Sequence, residues 1–357
     1  SIVGTGVFVS IAVAFGLFGR EVLFAVPLAA LVATFNGLSS AQLAAAHPVS
    51  GGTYEYGYRF LNPWWGFTAG WLFLIAKTAS ASTAALGFAG YLGALLGVSN
   101  SARTALALGV SAAVTVLILT GIRRTATVNA VLVSVTIGSL VAFVAAPWID
   151  PMSTPVTDTD SPGVSSLLGA IAFMFVAYTG YGRIATLGEE VRDPKRTIPL
   201  AVIVTLAVSA LLYSAVAFTA WQLAGTSTWS LDSAGGAPLA GLMDQPWAQV
   251  VEIGAIVAMV GVLLNLILGL SRVWLAMGRR NDMPLALGRV SNGTPVAAVV
   301  LTGVLVAGGA LVGDVRLTWS FSAMTVLLYY AITNAAALRL DGEDRRFPRW
   351  ISWAGLG

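Results

Sequence analysis

The chain has 357 residues, of which 57% are hydrophobic and only 10% charged, with a formal net charge of +3. A soluble domain averages about 25% charged residues, so this chain carries too few charges to cover a water-facing surface. It has no cysteine and one histidine, His47, which excludes disulfides, thiolate metal sites and cysteine nucleophiles.

The apolar runs predict helices over 2–17, 22–46, 64–96, 103–121, 127–147, 166–187, 198–224, 247–277, 295–313 and 317–338. Most reach the ~18–20 residues needed to cross ~30 Å of hydrocarbon. Their repetition excludes a single cleaved signal peptide. Their length and lack of alternation exclude barrel strands of ~10 residues. The fold class is therefore an all-α integral membrane protein, a single transmembrane domain over 1–357. The chain begins at Ser1, without methionine, inside an apolar stretch. It reads as part of a longer protein, with 339–357 either a cytoplasmic tail or the start of an eleventh helix.

Loop charge alternates along the chain. Arg59, Arg123, Arg124, Arg192, Lys195, Arg196, Arg279, Arg280 and Arg289 fall in one set of loops. The intervening set holds few cations, with Glu21, Asp150, Asp158, Asp232, Asp244 and Asp314. Lys/Arg excess marks the cytoplasmic side. The loop 47–63 is then cytoplasmic, in a multi-pass protein of the plasma membrane. The same rule accounts for the basic balance without a nucleic-acid partner; the lipid bilayer is the partner that composition requires.

Two spans contain sequences that suit a helix poorly: Gly4-Thr5-Gly6-Val7-Phe8 in the first, and Ala177-Tyr178-Thr179-Gly180-Tyr181-Gly182 in the sixth. Each glycine weakens a helix by ~1 kcal/mol relative to alanine. Close packing of membrane helices explains such glycines singly. Their positions argue further, because five spans followed by five spans invert the topology of a repeat, and both breaks fall in the first helix of a half. Transporters built from inverted repeats bind cargo where two interrupted helices meet. Freed N–H groups there attract anions and freed carbonyls attract cations. A zwitterionic amino acid offers both charges.

Ile2-Val3-Gly4-Thr5-Gly6-Val7-Phe8 resembles the first-helix signature of the amino acid–polyamine–organocation permeases. His47-Pro48-Val49-Ser50-Gly51-Gly52-Thr53-Tyr54, Ala177 to Tyr181, Gly188-Glu189-Glu190-Val191, Asp193-Pro194-Lys195-Arg196-Thr197-Ile198-Pro199 and Ser271-Arg272-Val273-Trp274 continue the resemblance in order. It implies a leucine-transporter-type fold of two inverted five-helix repeats, over 1–147 (without the start of its first helix) and 166–338, with helices one and six discontinuous. It implies a substrate site of Ile2, Gly4, Thr5, Gly6 and Val7 with Val176, Ala177, Tyr178, Thr179 and Gly180. The N–H groups of Thr5, Gly6 and Val7 would face a carboxylate. Carbonyls of Ile2, Val176, Ala177 and Thr179 would face an ammonium. Tyr178 and Tyr181 would wall the site, with helices three, eight and ten supplying the rest. Tyr181, Glu189, Glu190 and Arg192 are gate candidates.

Lys77 sits about a dozen residues into the third span. A lysine at that depth costs ~2.5–3.5 kcal/mol, so it must face the bundle, a wet cavity or a partner. It is a candidate for ion coupling, by exchanging a proton or as a fixed cation in place of sodium; the alternative is a lysine that snorkels or tethers two helices. Some proton-coupled members of the resembled family carry a lysine on the fifth helix, and Val133 to Ile137 has none. Glu252, near the start of the eighth span, reads as a gate, a relay or a solvated interfacial acid. The polar run Thr78, Ser80, Ser82 and Thr83 suits close helix packing.

No cluster of His, Asp and Glu falls within one span, so the chain is not expected to be an enzyme or to hold a cofactor or metal. No phosphate loop is present. The expectation is a secondary transporter of amino acids, coupled to protons or running by exchange. The alternatives are an organic cation or polyamine transporter, which calls for an acid at the site, and an ion channel.

Overall fold

The computed structural model describes residues 2–49, 51–121, 126–149, 163–182, 193–224, 236–291 and 293–356. Among the described residues every regular element is a helix. In chain order these are a π-helical turn Gly6–Ser10 running into α1 (Ile11–Phe18), α2 (Val22–Ala46), α3 (Thr53–Tyr56), α4 (Pro63–Leu96), α5 (Asn100–Leu119), α6 (Ala126–Ile149), α7 (Val164–Tyr178) with a 3₁₀ turn Thr179–Tyr181, α8 (Pro194–Ala224), α9 (Trp247–Arg279), α10 (Val296–Val312), α11 (Val315–Leu338) and the short α12 (Arg349–Ala354).

Among the described residues, eight helical segments are long and apolar enough to cross a membrane. The first, Gly6–Ala46, has 41 residues and at 1.5 Å per residue would run about 60 Å, twice the hydrocarbon thickness. It breaks at Gly19, whose φ of +57° lies where only glycine is comfortable. The apolar α10 has 17 residues. Each predicted span thus has a helical counterpart, though the sixth departs from a regular α-helix at Thr179.

Local signals set the ends of α4. Asn62 accepts the Trp65 N–H at 3.1 Å, with Pro63 in the first turn, as a helix start requires. Gly97, at φ +64°, closes the other end. The α4 helix lies along both α9 and α11, while α2 lies against α8 and α7, and α6 against α9. In their most apolar stretches α4 and α11 are 61% buried, against 28% for α5 and α6. The centre of the bundle is therefore α4 and α11.

Small and hydroxylated residues allow that central packing. Ser80 Oγ meets Ser322 Oγ at 2.7 Å, Thr83 donates to Thr318 Oγ1 at 2.7 Å, and Ser82 donates to the Val306 carbonyl at 2.9 Å. The polar run of α4 is thus used in helix pairing, as membrane interfaces commonly do. Further along α11, the Asn334 amide donates to Asn36 Oδ1 at 2.6 Å and to the Gly355 carbonyl at 2.9 Å. Ser39 and Ser352 hydroxyls meet at 2.9 Å. The segment after α11 is thereby held against α2.

The loop after α2 is fastened to the end of α9. Tyr54 and Tyr58 both donate to Asp282 Oδ2, at 2.5 and 2.7 Å. Arg280 pairs with Glu55 at 2.5 Å and stands 4.1 Å from the Tyr58 ring centroid, a cation–π distance. Burial, reinforced by the Asp282 carboxylate, pushes the Tyr58 hydroxyl up to about 12. An unfolded tyrosine loses its proton near pH ~10. The stabilisation from the protonated Tyr58 is therefore complete below that pH and is lost as pH rises towards 12. In detergent, wild type should melt higher than Tyr58→Phe at neutral pH, and the gap should narrow progressively as pH rises from ~10 towards 12. A gap that does not change with pH would reject the linkage.

Candidate functional site

The two irregular turns face each other. A Cβ built on Gly6 would lie 2.7 Å from the Ala177 Cβ and 2.8 Å from its Cα. A Cβ built on Gly180 would lie 2.8 Å from the Ile2 backbone nitrogen. Each turn thus presents a glycine to the other's main chain, at distances that real Cβ atoms do not reach. The local backbone follows from this contact. The Gly4 carbonyl accepts from both Val7 and Phe8, at 3.0 and 3.2 Å. The N–H groups of Thr5 and Gly6 stand ahead of these bonds, where a helix has no carbonyl of its own to offer. At the second turn, Thr179 Oγ1 donates to the Val176 carbonyl at 2.8 Å.

A cavity of about 120 Å³ lies beside this crossing. From the predicted site it is lined by Ile2, Thr5, Gly6, Val176, Ala177, Thr179 and Gly180, and by Lys77. Gly4, Val7, Tyr178 and Tyr181 do not line it. Gly4 is closed off by the Val262 side chain, and Val7 is fully buried. The Tyr178 hydroxyl turns away to the Val26 carbonyl at 3.1 Å. Tyr181 packs against the Tyr330 ring, with centroids 5.4 Å apart. Glu189, Glu190 and Arg192 lie outside the described residues.

Lys77 is the least expected member. Only 7% of it is exposed, and its ammonium donates to Thr179 Oγ1 at 2.7 Å. It ties α4 to the second turn across the cavity and does not snorkel to an interface. The carbonyls expected to receive an ammonium already accept hydroxyl bonds. The Tyr213 hydroxyl reaches the Ile2 and Ala177 carbonyls, at 2.8 and 3.5 Å. The Tyr330 hydroxyl reaches the Thr179 carbonyl at 3.4 Å. The Thr5 hydroxyl is the opposite case, 3% exposed with no hydrogen-bond partner.

The remaining wall is mostly α9. Val262, Asn265, Leu266, Gly269, Leu270, Arg272, Val273 and Ala276 line the cavity, recurring mostly three and four residues apart, as one face of a helix does. Sequence reasoning named the eighth span as a wall but not these positions. The i, i+3, i+4 recurrence with Asn265 and Arg272 was the available signal. Phe73, Ser80 and Trp319 complete the lining, and the Trp319 indole N–H is fixed to the Phe173 carbonyl at 3.0 Å.

The cavity reaches Gly51, Gly182 and Arg272 at one end. At the other end the bundle is closed. The Tyr91 hydroxyl donates to the Phe8 carbonyl at 2.7 Å and accepts the Leu239 N–H at 3.2 Å. Leu239 and Ala240 are buried there. Glu252 is also buried, at 8% exposure, near Tyr91, which rules out the solvated interfacial reading.

The sequence matches the family described as amino acid permease over residues 1–353. An uncharacterized transporter of Mycobacterium tuberculosis is 38% identical, with 100% of this chain and 81% of that protein covered. The branched-chain amino acid permease BcaP of Bacillus subtilis is 29% identical, over 92% of this chain and 71% of that protein. The chloroplastic cationic amino acid transporter 7 of Arabidopsis thaliana is 26% identical, over 94% of this chain and 62% of that protein.

The crossing gives a direct test by stability. Overpacking typically costs ~1–3 kcal/mol, and Gly180→Ala forces a methyl onto the Ile2 main chain. Gly109, within α5, has open space around it. In detergent Gly180→Ala should lower the melting temperature by several degrees, and Gly109→Ala should leave it level or raise it slightly, since alanine favours the helix. Equal midpoints for the two variants would deny the close approach.

Proposed function

The chain belongs to the amino acid permease family, and from that membership we propose that it is a secondary active transporter that carries amino acids by alternating access. The observation that carries this reading is the crossing of two irregular helix turns, glycine against main chain, beside a cavity. Bordered by the helix start at Thr5 and Gly6 and by the turn that carries the Ala177 and Thr179 carbonyls, the cavity suits a zwitterion of amino-acid size. Two relatives carry amino acids by name, which supports the same cargo class.

The proposed architecture is of the leucine-transporter type, with inverted five-helix repeats in 1–147 and 166–338 and with helices one and six discontinuous. The π turn at Gly6–Ser10 and the 3₁₀ turn at Thr179–Tyr181 support it. Within it, the N–H groups of Thr5 and Gly6 take the α-carboxylate. The carbonyls of Ile2, Val176, Ala177 and Thr179 take the α-ammonium through their second lone pairs. With the loop 47–63 on the cytoplasmic side of the plasma membrane, the cavity reaches towards the cytoplasm and the Tyr91 bridge closes the outer side. Tyr181, Glu189, Glu190 and Arg192 act as the inner gate.

Transport is coupled to protons or runs as exchange, with Lys77 as the coupling group. Its bond to Thr179 supports that role, since it links the central α4 to a turn that must rearrange during alternating access. An organic cation or polyamine would need a carboxylate in the site, and among the described residues none lines the cavity. The paired turns also fit alternating access better than a channel, which needs a pore lined by charges or carbonyl rings.

Two experiments follow. Gly6→Leu should insert into membranes at wild-type levels yet abolish uptake of labelled amino acids into proteoliposomes; normal uptake would remove Gly6 from the site. With a proton gradient imposed, Lys77→Ala and Lys77→Gln should lose gradient-driven accumulation. Accumulation that still follows the gradient in both would end the coupling role of Lys77.

A further inference from the structure

Resting on the permease reading, we infer that the cavity is charge-selective: the Lys77 ammonium and the Thr5 hydroxyl make it a site for amino acids with a side-chain carboxylate, and it excludes cationic ones. Three observations converge. First, Lys77 lines the cavity at the two turns, and among the described residues no carboxylate lines it. Second, Lys77 spends one of its three N–H bonds on Thr179 Oγ1 and brings its charge to the second turn, where the carbonyls already receive hydroxyl donors. Third, Thr5 lines the cavity, and its buried hydroxyl has its bond unmade.

The donor surplus decides the cargo. An unpaired hydroxyl deep in a protein is destabilising, and a charge inside the membrane more so. A ligand that supplies acceptors to both recovers that cost. The helix start at Thr5 and Gly6 engages one carboxylate, as any α-amino acid provides. A second carboxylate is what the Thr5 hydroxyl and the Lys77 ammonium can additionally satisfy. A lysine or arginine side chain would instead add a cation, beyond Lys77 and the α-ammonium, to a mainly apolar space, without a carboxylate among the described lining residues to offset it. Like charges repel more strongly where solvent is excluded.

Equilibrium binding on the purified full chain in detergent tests this, with labelled glutamate as probe and unlabelled glutamate, leucine and lysine as competitors. Glutamate should displace the probe at least tenfold better than leucine, and lysine should not displace it. Thr5→Val keeps the shape and removes a hydroxyl that no protein group uses, so it should fold normally and weaken glutamate about tenfold. Lys77→Met should erase the preference of glutamate over leucine, and Lys77→Arg should retain part of it. Lysine competing as well as glutamate, or Thr5→Val and Lys77→Met both binding glutamate as wild type does, would overturn the inference. Labelled leucine binding with no advantage to glutamate would overturn it while leaving the permease reading intact. Failure of labelled glutamate, leucine and lysine alike to bind would instead strike the permease reading itself.

Discussion

Everything around the cavity depends on one close approach. Ile2 to Gly6 and Ala177 to Gly180 pass each other with main chain against main chain, and a single methyl on Gly6 or Gly180 would collide. That contact explains why both helices depart from regular geometry at the same level. Backbones this near leave no room for the side chains that would cover their polar groups. The peptide groups therefore find partners in tyrosine hydroxyls from neighbouring helices or face the cavity. In hydrocarbon an unsatisfied peptide group is not tolerated, so irregular backbone survives here because it is enclosed by protein. The ring of Tyr213, Tyr330 and Thr179 donors is part of that enclosure.

The fold was largely legible in the sequence because the membrane simplifies the problem. A span must be long, apolar and helical, so its extent follows from composition alone. Both weak points were also legible, since paired glycines inside an apolar run conflict with helix propensity. Less could be read about which side chains turn towards the cavity. Tyr178 and Tyr181 sit at the second turn in sequence, yet the first reaches Val26 and the second packs on Tyr330. A turn that leaves regular helix geometry rotates its side chains by an amount that spacing does not give. The α9 face was hidden for a different reason. Its lining is mostly aliphatic, and in a helix surrounded by lipid and protein the aliphatic residues do not mark one side.

Lys77 shows what an isolated charge can and cannot reveal. Its cost in hydrocarbon required a polar surrounding, and burial beside Thr179 meets that requirement. The sequence could not name the partner, which lies 102 positions away. The neighbouring hydroxyls of Ser82 and Thr83 serve a different end, pairing α4 with α10 and α11, while Ser80 both lines the cavity and pairs with Ser322. Within seven residues of one helix, polar groups therefore divide between holding the bundle together and facing its interior space.

The closure at Tyr91 concentrates the fastening of one end of the bundle on a single atom. One phenolic oxygen joins three elements, giving its proton to the first helix and receiving one from the segment before α9. Parting these elements breaks both bonds at once. At a net ~1 kcal/mol each, the two together favour the fastened arrangement by roughly thirtyfold over one that has lost both. Removing that one oxygen atom would loosen three elements together.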